Sequence, residues 1–401
     1  MSEVKVRKPR AAKVPAVAPE AAPAPPTNDI RITNKVFADA LARAAPMIAR
    51  TATVPILKCV ALTAGDGRLT IESSNLEQAL RQSVPITGMG AGGGCVDQER
   101  LAAVVKRLPP DAETILEFSE ASLLVRCGAS RVTFSLWPLA DFPVFAVRDD
   151  TRAAFVMAAP ALGAMLDRVI WAMSDEQTRF YLCGVCVGPH GEGDAARLRA
   201  AATNGNDLAV ASATLAEGAD VMPTIIIPTP AVTELAKLLK GAATVDLTVS
   251  ETVLVAAFGD VVLLTKLIGA TYPNYDRVIP AATSRRFAVD GPALIRIVEL
   301  ASLFSRSDRD RVKPWVRLTL SENRCVVFAG GGTDQVVSEL DPGAFSYAGE
   351  DITITVTAFC LLETAERARG RVVFHLNPDA PFLIEDSDDS DVRYVSGPIR
   401  A

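Results

Sequence analysis

Histidine is nearly absent from this 401-residue chain: it has two, His190 and His375, far apart in sequence. His190 stands in a glycine-rich turn and His375 alternates with Phe374 and Leu376, so neither has an evident partner for acid–base or metal chemistry. Cysteine is sparse and odd in number, at seven, and no signal-peptide pattern accompanies it; reduced thiols of a cytoplasmic protein are expected. The pair Cys183-Gly-Val-Cys186 lacks a second pair for zinc and lies in Arg179-Phe-Tyr-Leu-Cys-Gly-Val-Cys-Val, which reads as a buried strand. No apolar run approaches membrane-spanning length. The tract Gly88–Gly94 lacks the Gly-Lys-Ser/Thr ending of a phosphate loop and reads as a flexible turn. Basic excess is missing too, the net charge being -6, which argues against a dedicated nucleic-acid binder, although local basic faces can override a global sign. Acidic residues are plentiful, but none is spaced with His, Cys or Ser in a catalytic pattern. Neither enzyme activity nor a cofactor is expected.

What the sequence does have is repetition. Ser135-Leu-Trp-Pro-Leu-Ala-Asp-Phe-Pro143 is echoed by Thr265-Lys-Leu-Ile-Gly-Ala-Thr-Tyr-Pro273: a hydroxyl residue opens each copy and an aromatic-proline pair closes it. Pro160-Ala-Leu162 and Pro292-Ala-Leu294 open two helical patterns, and Asn34 opens a third as its cap. Further helical patterns cover 97–108, 229–240 and 357–369. Large self-similar units of this kind predict three domains, 28–150, 151–280 and 281–401, each with two helices packed on antiparallel sheet in an α+β fold. Residues 1–27 carry five basic against two acidic residues, with Ala and Pro but almost nothing large and apolar; such a segment cannot build a core and is expected to be a disordered basic tail. The three domains carry net charges of -1, -4 and -4.

Several stretches, in order, resemble the bacterial DNA polymerase III beta subunit, the sliding clamp. They include Val54-Pro-Ile-Leu57, Ser73-Ser-Asn-Leu-Glu77, Lys106-Arg-Leu-Pro109, Ala140-Asp-Phe-Pro143, Arg179-Phe-Tyr-Leu-Cys-Gly184, Ala202-Thr-Asn-Gly-Asn-Asp-Leu-Ala209, Tyr272-Pro-Asn-Tyr-Asp-Arg-Val-Ile-Pro280 and Tyr394-Val-Ser-Gly-Pro-Ile-Arg400. The resemblance implies a head-to-tail homodimer closed as a ring around duplex DNA without sequence preference. Its partners would be the replicative polymerase, an ATP-driven loader and other clamp-binding peptides, with no membrane. A clamp-derived scaffold that no longer encircles DNA is the alternative.

The resemblance also implies site residues. A partner-peptide groove would use Leu182, Thr203, Gly205, Asn206, Asp207, Leu208, Pro280, Gly397, Pro398, Ile399 and Arg400. Here the chain departs from the family: Asn206-Asp207 replaces the usual His-Arg, Gly397 the usual Met, and Ala401 the terminal Leu, so a reversed charge at Asp207 is expected to alter partner preference. Ring closure would use Phe134 and Leu136 on one side and Leu303 and Phe304 on the other. The DNA-facing candidates are Lys35, Arg43, Arg50, Lys106, Arg107, Arg168, Arg179, Lys237, Lys240, Arg296, Arg367 and Arg369, giving sequence-independent phosphate attraction.

Overall fold

The structure, a computed structural model, describes residues 29–145, 150–305, 314–331 and 333–399. Among them are six α-helices: α1 (Asn34–Ala44), α2 (Gln98–Val105), α3 (Ala159–Val169), α4 (Thr229–Leu239), α5 (Gly291–Ser302) and α6 (Ala358–Arg367). Each is amphipathic. On α1, for example, Phe37, Ala40, Leu41 and Ala44 recur at helical spacing and are buried. Proline lies in the first turn of α3, α4 and α5, where its missing N–H costs nothing. The Asp97 carboxylate caps α2 by accepting the Arg100 N–H at 2.8 Å. The helices pack in pairs, α1 with α2, α3 with α4, and α5 with α6.

Antiparallel sheets carry these pairs. An eight-stranded sheet forms where Gln78–Pro85 pairs with Val261–Lys266, and a nine-stranded one where Asp207–Thr214 pairs with Asp389–Ser396. Each therefore joins segments far apart in sequence through continuous backbone hydrogen bonds. Two four-stranded sheets complete the chain, one containing Ser130–Ser135 and the other Asp334–Glu339, each of these strands lying at an edge. One hydrophobic core runs beneath the last two helix pairs and a second beneath α1 and α2.

Three local expectations change. Asn34 is not the cap of α1, which is Thr33; its amide donates to the Pro109 carbonyl at 2.7 Å and its side-chain oxygen accepts from the Thr114 hydroxyl, tying the helix to the strand Glu113–Phe118. The end of the glycine tract is the strand Gly92–Asp97, paired with Cys59–Gly65. The run from Arg179 is a 3-10 turn, Gln177–Leu182, before the strand Gly184–His190. Arg179 is kinked there, and the Cys183 N–H closes back on the Phe180 carbonyl at 3.0 Å. The strands Arg286–Asp290 and Phe345–Ala348 pair with each other at one end of the nine-stranded sheet. No described helix is long and apolar enough to cross a membrane. The 1–27 tail, Arg400 and Ala401 lie outside the described residues.

Candidate functional site

Of the predicted groove residues, Thr203, Gly205, Asn206, Asp207 and Leu208 lie at the turn between the strands Arg197–Thr203 and Asp207–Thr214, the second of which pairs with the C-terminal strand Asp389–Ser396 just ahead of Gly397. A tight turn joins the first two. Asn204 Oδ1 accepts the N–H groups of Asn206 and Asp207, both at 2.9 Å, an Asx turn that the side chain dictates. Gly205 sits at φ +95°, a backbone conformation that favours glycine, and a Cβ there would meet only the flexible end of Arg179, at 2.5 Å from Nη1. Beneath the turn, Ala201, Leu208, Val210 and Val395 form a small apolar cluster against which Tyr275 and Ile279 pack. Leu182 is buried at the end of the turn Gln177–Leu182, while Thr203, Pro280, Gly397, Pro398 and Ile399 are half-buried. The C-terminal segment is held by backbone: Gly397 N–H donates to the Asn206 carbonyl at 3.2 Å and Ile399 N–H to that of Thr355 at 2.8 Å.

Asp207 overturns its expected role. It is 1% exposed and accepts from Ser396 Oγ at 2.8 Å and from the Asn206 and Asn204 amides at 3.1 and 3.3 Å. Its charge is spent inside the turn, pinning the C-terminal strand, and Asn206 is the exposed member of the pair. Arg179 is relocated too. Its guanidinium pairs with Glu176 (Nε to Oε2, 2.8 Å) and reaches the Asn204 carbonyl at 3.4 Å, placing it on the groove turn and not on a basic helix face.

Tyr272, Arg199 and Asp276 also pack about this turn, and sequence reading assigned them no role there. The Thr203 N–H donates to the Tyr272 hydroxyl at 3.0 Å, and burial pushes that phenol's pKa up, keeping it neutral. Arg199 Nη1 lies 3.0 Å from Asp276, which anchors the turn Tyr275–Val278 over the cluster. The repeated aromatic-proline pair was the available signal, since Tyr272 is its aromatic member. Burial pushes the Cys186 thiol up to about 12, keeping it protonated.

The basic candidates divide. Lys35, Arg43, Arg50, Lys106, Arg107, Lys237, Lys240, Arg296 and Arg369 are exposed. Lys237 pairs with Glu234 at 2.6 Å, Arg43 Nε donates to Gln82 Oε1 at 2.9 Å, and Arg369 lies 3.4 Å from Asp389. Arg367 is half-buried and ties α6 to α3 through the Asp167 carbonyl at 2.7 Å. Arg168 contradicts its assignment. It is 7% exposed, its Nη1 lying 2.7 Å from Asp389 Oδ2, out of line for a hydrogen bond but close enough for strong Coulombic attraction. It cements α3 to the C-terminal strand and is not a surface charge.

At the chain's two open sheets, Leu303 is 74% and Phe304 36% exposed, with Leu300 and Val337 also exposed. Phe134 instead fills the core beneath α1 and α2, and Leu136 is half-buried against it.

Models of the DNA polymerase III beta subunit match this chain: the N-terminal domain over residues 28–146 and the central domain over 157–274. A beta sliding clamp of Caulobacter vibrioides is 30% identical over 380 residues, 92% of this chain and 99% of that protein. The chain belongs to the beta sliding clamp family. The Escherichia coli K12 clamp is 25% identical over 87% of this chain and 93% of its own length. A Bartonella birtlesii clamp solved bound to griselimycin superposes with a TM-score of 0.86 at 29% identity, over 93% of this chain and 99% of the other. A Caulobacter crescentus clamp gives 0.85 at 28% identity and the same coverage. The clamp's function is accordingly that of a processivity factor in DNA replication, and at these identities it is a divergent member.

Proposed function

We propose that two copies of this clamp close head to tail into a ring around duplex DNA and tether a replicative polymerase by a peptide in the groove. The observation that carries this reading is the mismatch between the sheets. Both internal junctions are bridged by sheets of eight and nine strands, whereas the chain ends in two sheets of four, with Ser130–Ser135 and Asp334–Glu339 as bare edges. Such edges invite pairing. A head-to-tail dimer would set these edges against each other twice, converting each pair of four-stranded sheets into one of eight and closing a point-group assembly. The exposed Leu303 and Phe304 on α5's end would then be covered. Three repeat units, 28–150, 151–280 and 281–401, are the corresponding domains.

In this arrangement the ring does not depend on tight contact. Exposed basic residues such as Lys35, Arg43, Lys106, Lys237 and Arg296 would give a weak, sequence-independent attraction to phosphates while net-acidic domains keep contacts loose enough to slide. The groove would take a linear peptide: the half-buried apolar surfaces of Pro280, Pro398 and Ile399 would supply affinity, and the Asn204–Asn206 turn with Arg179 would orient it. The Bartonella clamp's ligand, griselimycin, shows that a relative's surface accepts a ligand. Ring opening for loading would be done by a separate ATP-driven loader, and the clamp itself would do no covalent chemistry, acting in the cytoplasm.

Closure is tested by Leu303→Asp with Phe304→Asp. Burying two unpaired carboxylates costs several kcal/mol, so sedimentation should show folded monomers. An undiminished dimer would remove this face from the joint.

A further inference from the structure

The turn that shapes the groove occurs twice. Asn75 Oδ1 accepts the N–H groups of Glu77 and Gln78 at 3.0 and 2.7 Å, as Asn204 does for Asn206 and Asp207. Ser74 Oγ accepts the Leu76 N–H at 3.2 Å, as Thr203 Oγ1 accepts that of Gly205 at 3.1 Å. The strand that follows pairs in the same way, Gln78 opposite Thr265 and Asp207 opposite Ser396. Beyond it, Lys266 N–H donates to the Glu77 carbonyl at 2.9 Å where Gly397 donates to Asn206. Ile268 N–H then meets the Ile226 carbonyl at 3.0 Å where Ile399 meets Thr355. The eight-stranded junction therefore reproduces the backbone frame of the partner groove.

That frame borders an open cleft of about 680 Å³, lined by Ser74, Leu76, Val144, Phe145, Val253 and Lys266. Two residues differ from the groove in a way that matters. Where the groove has Gly205, this turn has Leu76, at φ +74°. A branched apolar residue in the left-handed region is strained, and strain of this kind collects at functional sites. Nor does burial offset it, since Leu76 is 47% exposed and Val144 beside it in the cleft wall is 89% exposed. Where the groove has Gly397, this junction has Lys266. Its Nζ holds Glu77 at 2.9 Å in a pair whose side chains are 50% and 70% exposed. Such a pair is weak, and an ammonium has further donors to offer.

We propose that this cleft is a second peptide-docking site, taking an extended segment of a partner protein. An aliphatic or aromatic side chain of that segment lies against Leu76, Val144 and Phe145, and a neighbouring carboxylate or carbonyl oxygen meets Lys266 Nζ. Two partners could then be held by one protomer, one at each junction. The inference rests on the groove reading for the kind of ligand, but on its own residues for the site.

The test uses the full-length chain and a displayed library of random octapeptides, with calorimetry on the enriched sequences. One class of peptide, bearing an apolar anchor beside an acid, should bind about tenfold or more weakly to Lys266→Glu and to Leu76→Gly, and equally well to Gly397→Trp. Leu76→Gly should melt no lower than the parent, since glycine accepts the positive φ, so its lost binding is not unfolding. Thr252 also lines the cleft, and a Thr252→Trp variant, which fills it, should lose the same class. The proposal is overturned if nothing is enriched, or if every enriched peptide is lost in Gly397→Trp and indifferent to Lys266→Glu. The groove reading fails separately, when no enriched peptide responds to Gly397→Trp.

Discussion

Replacing Arg168 by Met separates a structural charge from a DNA-facing one. Arg168 and Asp389 are both under a tenth exposed in their side chains and lie 2.7 Å apart, linking α3 to the C-terminal strand. Removing one member of a buried pair typically costs about 3–5 kcal/mol, because the other charge is left desolvated. Arg369, 3.4 Å from the same carboxylate and largely exposed, still offers partial compensation, so the lower end, about 3 kcal/mol, is expected. The assay is urea unfolding followed by fluorescence of Trp171, a buried indole whose N–H donates to the Arg168 carbonyl at 3.0 Å. Several core units share this chain, so a double-mutant cycle with Asp389→Asn is more secure than an absolute stability. Coupling of about 2–3 kcal/mol is expected between contacting groups. DNA retention should fall only in step with unfolding. An unchanged urea midpoint together with weakened retention on DNA would show that Arg168 is a wall residue and that the buried pair is energetically idle.

Other perturbations probe the groove and the core. Tyr272→Phe leaves the Thr203 N–H without its acceptor, a loss of about 1–3 kcal/mol; it should weaken binding of a partner peptide in calorimetry, and unchanged affinity would show that the hydroxyl does not shape the site. Gly205→Ala should cost about 1–2 kcal/mol from its positive φ, the Arg179 end being free to swing aside, read as a lower melting temperature. Deleting Pro398–Ala401 should abolish peptide binding at the groove while sedimentation still shows a dimer. Burial raises the thiols of Cys59, Cys186 and Cys325 from 9.0 to about 12 and that of Cys95 to about 11. Their folded pKa values exceed the unfolded ones, so their contribution is intact below pH 9 and is lost as pH rises from there towards 12. Thermal melts should therefore fall across that alkaline window, and in native protein at pH 8 only half-buried Cys183 should react appreciably with a thiol reagent; rapid labelling of Cys186 would contradict its burial.

The sequence carried the helices and the groove's backbone well, and its charges poorly, for a physical reason. Helix positions follow from local periodicity and punctuation, as with Phe37, Leu41 and Ala44 on α1 or Pro160 opening α3. The groove's tight turn follows from Asn204 and Gly205, whose preferences are intrinsic. Charge placement depends on partners distant in sequence. Asp207 is buried because Ser396, 189 residues on, donates to it, and Arg168 because Asp389 waits in the C-terminal strand. Neither pairing leaves a local trace. Gly92–Gly94 misled for another reason: glycine has little strand preference of its own, yet the strand forms because Phe118, Leu139 and Leu136 occupy the space its missing side chains leave. Tyr272 was visible as a repeated residue while its role as acceptor for Thr203 was not.

The central claim, that the clamp stays on DNA by enclosing it, is tested most directly by loading it onto nicked circular duplex, washing in about 0.5 M salt to dissolve phosphate contacts, and linearising half of the sample. With loading verified beforehand and the dimer intact at that salt, retention on the circle and loss from the linear DNA are expected, because an enclosed duplex escapes only at an end. Equal loss from both forms would mean that contact, not enclosure, holds the protein, and would leave it as a scaffold that does not encircle DNA.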